Sequence, residues 1–132
     1  MWFRAQGQRS VDEIRAEAEQ RRGTARQRGY GVRWDRVSAA FKLAHPLCLG
    51  CEAVGQYKAT AVTDHVEPHK GDMVKFWNAE RWQPACTWHH DVIKQQLEVL
   101  FAKGQLKVDD LWLNSKAAIE LTLSLLPERV GG

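Results

Sequence analysis

The apolar positions change their spacing several times along the chain, and each change marks an element. Val11, Ile14 and Ala18 recur at helical spacing behind Ser10, and Glu13 stands three residues after that serine. This predicts a helix over 10–22 with a capping box at its start. Its apolar face is thin, so it packs at one end or lies along a partner. Gly23, Gly29 and Gly31 then loosen the chain. Trp34, Val37, Phe41 and Leu43 mark a second helix over about 33–44, which Pro46 keeps from continuing. PLCLGCEAVGQ (46–56) reads as a tight turn and YKATAVTDHVEP (57–68) as a short strand rich in Val and Thr, together suggesting a two-stranded hairpin. GDMVKFWN (71–78) is a helical turn, and AERWQPAC (79–86) is irregular.

From Thr87 to Lys103, Val92, Ile93, Leu97, Leu100 and Phe101 mark a further helix, stopped by Gly104. A last helix from about Ser115 to Leu126 takes Asn114 or Ser115 as its cap and ends before Pro127. In VDDLWLNSKAAIELTLSLL (108–126) the apolar residues occur all round the helix, which implies burial against the core, a second copy or a partner. The fold class expected is α+β, mainly helical.

Length and composition narrow the class. A chain of 132 residues, 44% apolar and 27% charged, has the size and balance of one folded domain with a modest core. No apolar run approaches the roughly 20 residues of a membrane span. The opening MWFRAQGQRS lacks a long apolar core or small-residue cleavage site, so a cytoplasmic location and no membrane partner are expected. Three cysteines cannot all pair within one chain, and a reducing cytoplasm disfavours disulfides, which makes metal binding the better use for them. The net charge of +3 is unevenly spread: RRGTARQRGYGVRWDR (21–36) holds six arginines and one acid, Asp35. Such a stretch attracts phosphate or forms a solvated helix face.

Cys48-x-x-Cys51 and Cys86-x-x-His89 are two ligand pairs separated by 34 intervening residues, the pattern of a closed tetrahedral zinc site with three thiolates and one imidazole. All three cysteines fall into these two units. Between them lies TDHVEPHKGD (63–72), with Asp64, His65, Glu67, His69 and Asp72. Neighbours on a strand face opposite sides, so Asp64 and His65 can take separate tasks. Phosphodiester hydrolysis needs such a division: a neutral histidine suits the base that activates water, and a carboxylate with a second imidazole can hold a divalent ion.

RGYGVRWDRVSAAFKLAHPLCLGCEAVG, ATAVTDHVEPHKGD, FWNAERWQPAC and HHD together resemble the HNH endonucleases of phages and prophages, over about residues 29–95. The resemblance implies a zinc-braced ββα-metal core at 29–103 within a single domain 1–132. A basic helical extension (1–28) would precede this core and a helical one (104–132) follow it. It further implies that Asp64 and His90 hold a catalytic Mg, Mn or other divalent ion, that His65 is the general base, and that His89 replaces the family's fourth cysteine as a ligand of the structural zinc. His69 would contact the scissile phosphate or the metal surroundings, or be a surface histidine. Arg81 stands where the family has an Asn that orients the basic histidine, and an arginine cannot accept a hydrogen bond through its side chain. With DNA as substrate, Arg28, Arg33 and Arg36 become candidates for backbone phosphate contacts.

The function expected from these residues is metal-dependent DNA cleavage with weak sequence preference. The alternative is a zinc-stabilised DNA-binding module with a degenerate site, acting in a phage packaging or regulatory complex. A purely structural zinc protein without DNA affinity ranks third.

Overall fold

The computed structural model describes residues 10–22 and 25–130, with side chains at 18–30 and 127–130 outside that description. The chain divides into two compact units at Val37/Ser38, a boundary that falls within a helix.

In the first unit, α1 (Val11–Arg22) begins where the capping box places it, with the Glu13 N–H donating to Ser10 Oγ at 3.1 Å. Val11 and Ile14 are exposed, in keeping with the thin apolar face. Helix α2 runs over Ala25–Ala44, so it starts earlier than the expected 33 and passes through Gly29 and Gly31. An interior glycine costs about 1 kcal/mol relative to alanine, a penalty that twenty helical residues absorb.

The second unit opens with the end of α2. Leu43, expected on the apolar face, is exposed, whereas Ser38 is buried and donates from Oγ to Thr63 Oγ1 at 2.8 Å. The tight turn around the first cysteines holds a short helix α3 (Leu49–Glu52) and is closed by a bridge between Leu47 and Ala59. Strand β1 (Val62–His65) pairs antiparallel with β2 (Trp82–Ala85), in the register Val62↔Ala85, Thr63↔Pro84, Asp64↔Gln83 and His65↔Trp82. A hairpin is therefore present, but its second strand lies in the stretch read as irregular. Pro84 is tolerated there because β2 is an edge in a two-stranded sheet and can leave one ladder position without a donor.

Between the strands, α4 (Met73–Phe76) is the expected helical turn, with Asp72 Oδ1 accepting from Val74 N at 2.9 Å as its cap. The helix expected from Thr87 begins there, passes through a π-helical turn over His89–Lys94 and continues as α5 (Gln95–Ala102). Gly104 follows at φ +76°, the left-handed conformation that ends a helix. The last helix, α6 (Lys116–Val130), is capped by Ser115, whose Oγ accepts from Ala118 N at 3.0 Å. It passes through Pro127 instead of ending before it, since a proline near a helix end removes one hydrogen bond without preventing the turn from closing.

Val66, Ala85, Ile93, Leu97, Leu111, Leu113 and Ala118 form the core, so the 108–126 segment covers the sheet and α5. Trp88 packs against both this core and the cysteine cluster.

Candidate functional site: a thiolate and imidazole cluster beside a histidine cleft

Cys48, Cys51, Cys86 and His89 are buried together, with their ligand atoms all within 4.8 Å of one another. Cys51 Sγ lies 3.8 Å from Cys86 Sγ, and His89 Nδ1 lies 3.5 Å from both sulfurs. Sulfur at about 2.3 Å and nitrogen at about 2.0–2.1 Å from a tetrahedral zinc stand about 3.8 Å (S···S) and 3.5–3.6 Å (S···N) apart. The cluster thus has the dimensions and the donor set of a structural metal site such as zinc. Local backbone supports it. Cys51 sits in α3, and the His89 N–H points at Cys86 Sγ at 3.4 Å. Gly50 is required, because a Cβ at that position would collide with the His89 ring.

Two features of the cluster went unread in the sequence. His89 Nε2 lies 3.2 Å from Thr122 Oγ1, and the Thr122 hydroxyl donates to Ala118 O at 2.8 Å. The hydroxyl hydrogen being committed, Thr122 accepts from Nε2–H, which leaves the lone pair of Nδ1 facing the sulfurs. The thiols also polarise one another. Cys86 is lowered to about 3, chiefly by its hydrogen bond with Cys48 and then by His89, while that same bond and burial push Cys48 up.

A second constellation lies at the end of β1, where a cleft of about 420 Å³ is lined by Asp64, His65, His69, Lys70, His90 and Glu98 among others. His65, on the strand's last position, reaches Phe76 O at 3.0 Å through Nε2. A carbonyl accepts, so Nε2 carries the hydrogen and Nδ1 is the proton-accepting nitrogen. Burial lowers the His65 pKa, against the raising effect of the Phe76 carbonyl, with His69 and Lys94 also lowering it; the ring is neutral near pH 7. The orienting partner is thus a backbone oxygen, which also accepts from Trp82 Nε1 at 3.0 Å.

Asp64 is buried. Its Oδ2 accepts from Gln83 Nε2 at 2.8 Å and is ion-paired with Lys94 Nζ at 3.1 Å, and its Oδ1 faces His90 Nε2 at 3.8 Å. That separation is too long for a hydrogen bond. His90 Nδ1 lies 2.8 Å from the Asp91 carboxylate, which can only accept, so in the neutral ring Nε2 presents a lone pair toward Asp64. Two donors each about 2.1 Å from one ion stand at most about 4.2 Å apart, so the pair can span a divalent ion.

The remaining candidates are placed as follows. His69 Nδ1 accepts from Gly71 N at 3.1 Å, which leaves Nε2 as the donor of the neutral ring, and the ring lies 5.1 Å from that of His65. Arg81 does not line the cleft. It pairs with Asp109 at 2.7 Å, and this bond raises its pKa. Glu67 pairs with Lys75 at 3.1 Å, and Asp72 is spent on its cap. Arg33 and Arg36 are exposed on α2, whereas the Arg28 side chain lies outside the described residues. Gln83, Lys94 and Lys70 belong to the site and were not singled out in the sequence; Lys70 adopts φ 49°, a conformation uncommon outside glycine.

No family model, curated protein or solved structure matches the chain. Among the described residues, no helix is long and apolar enough to cross a membrane.

Proposed function

We propose that the chain is a metal-dependent DNA endonuclease of the HNH type, with zinc at Cys48, Cys51, Cys86 and His89 bracing the site. The observation that carries this reading is that His65, Asp64 and His90 line one cleft, with Asp64 Oδ1 facing His90 Nε2 at 3.8 Å. His65 Nδ1 takes a proton from water as that water attacks phosphorus. Asp64 Oδ1 and His90 Nε2 are the atoms that would hold a divalent ion, Mg or Mn, which supplies charge stabilisation at the phosphate and the leaving oxygen. His69 donates from Nε2 to a phosphate oxygen, and Lys70 at the cleft mouth adds positive charge. Arg28, Arg33 and Arg36 supply further phosphate contacts.

Nicking of supercoiled plasmid with added Mg or Mn tests the reading. Loss of a general base costs about 10²–10⁴ in rate, so His65→Ala should fall by at least 100-fold at unchanged zinc content. A wild type inactive under all divalent ions, or a fully active His65→Ala, overturns it.

The second reading is a zinc-stabilised DNA-binding module that has lost turnover, in a packaging or regulatory complex. It is favoured by the position of Arg81, tied to Asp109 away from the cleft, and by the ammonium of Lys94 already bound to Asp64. In the same assay, a large gain from Arg81→Asn marks a degenerate site. A loss marks Arg81 as part of the machinery.

A further inference from the structure

Lys94 is 1% exposed, a rare condition for a side chain that normally keeps its ammonium in water. Its Nζ donates to His65 O at 2.7 Å and to Glu98 Oε2 at 2.9 Å, and it forms an ion pair with Asp64 Oδ2 at 3.1 Å. The residue closes the π-helical turn that begins at His89, and that one turn therefore carries a cluster ligand, the cleft histidine His90 and this cation.

The geometry points to Lys94 as the residue that sets the divalent-ion affinity of the Asp64 and His90 pair. The inference rests on the reading that those two residues hold an ion. An ammonium against one oxygen of a carboxylate draws charge from the other oxygen and repels a second cation placed there. Gln83 holds the same Oδ2 at 2.8 Å, so Asp64 keeps its orientation without Lys94, and the lysine's contribution at the carboxylate is charge rather than position. Glu98, on the cleft wall, shares the ammonium and moderates it. With one carboxylate, partly neutralised, and one imidazole, the bare protein holds a divalent ion weakly. A phosphodiester entering the cleft adds anionic oxygens, so ion and nucleic-acid backbone load together.

Mn²⁺ binding to the full-length, zinc-loaded protein, read from the EPR signal of free Mn²⁺, tests this without turnover. Lys94→Met should bind Mn²⁺ about tenfold more tightly than wild type, and Lys94→Arg, which keeps the charge, should bind as wild type does. Adding a short DNA duplex should tighten Mn²⁺ binding more in wild type than in Lys94→Met, and His90→Ala should remove the binding. Equal or weaker binding by a Lys94→Met protein of normal zinc content, or equal tightening by Lys94→Arg, overturns the inference. If Lys94→Met does not fold, Glu98→Gln reports in the opposite direction: it should weaken Mn²⁺ binding severalfold, and an unchanged affinity overturns the proposal. Plasmid nicking run in parallel separates the two ideas. Nicking with Mn²⁺ affinity indifferent to Lys94 removes this inference alone, whereas Lys94-dependent affinity without nicking removes the endonuclease reading alone.

Discussion

His89 and His90 show how much one position changes a histidine's chemistry. The first is fully buried with Nδ1 toward two sulfurs, and the second faces Asp64 with Nε2; in each case the hydrogen bond on the other nitrogen decides which lone pair is offered. For His89 that decision belongs to Thr122, and it is testable. Replacing a partner that fixes the orientation of a metal-binding histidine costs about 10–100-fold in metal affinity. Thr122→Val removes the acceptor at nearly constant volume, and zinc affinity measured by competition with a chromophoric chelator should drop within that range, while Thr122→Ser should retain most of it. Wild-type affinity in the valine variant would show that the ring is held by packing against Gly50 and Trp88 instead.

Among the elements, β2 depends on Gln83 more than on its ladder. The side chain is fully buried, donates to Asp64 Oδ2 and to Leu111 O at 3.1 Å, and accepts from Leu113 N at 2.8 Å, so it joins the sheet to the segment before α6. Gln83→Leu would strand a buried carbonyl and a buried N–H. At about 1–3 kcal/mol for each unsatisfied group, urea unfolding should show a loss of about 2–6 kcal/mol. A loss below about 1 kcal/mol would mean that water replaces the amide. The same residue explains why β2 was not legible in the sequence. A buried glutamine beside a proline breaks the apolar alternation from which a strand is read, and its partners at 111 and 113 are distant in the chain. The starts of α1 and α6 and the end of α5 were legible because their signals are local, Ser10 and Ser115 as caps and Gly104 as a stop. The ligand pairs were legible for the same reason: a three-residue spacing fixes which side chains can share an ion. The π-helical turn, the ammonium of Lys94 and the carbonyl of Phe76 depend on tertiary contacts, and no pattern of residue types announces them.

At the scale of the whole molecule, the second unit has few large side chains to bury. Its core centres on Ile93, Leu97, Leu111, Leu113 and Val66, each worth at most about 1.5–3 kcal/mol on burial. The cysteine cluster adds a second tie between parts that also meet in this core: α3 from the turn before β1, the residues after β2, and, through Thr122, helix α6. It also sits one residue from His90, so loosening the cluster releases the cleft. Structural zinc contributes an apparent 10–16 kcal/mol or so in small domains, more than such a core provides in excess. Removal of the metal with a strong chelator under reducing conditions should therefore abolish the cooperative thermal transition and most near-ultraviolet circular dichroism, and re-addition of one equivalent of zinc should restore both. The helical signal of α1 and of the first part of α2, which belong to the other unit, should be the least affected. A chelated protein that melts cooperatively at the original temperature would show that the three thiols and His89 pack as ordinary core residues.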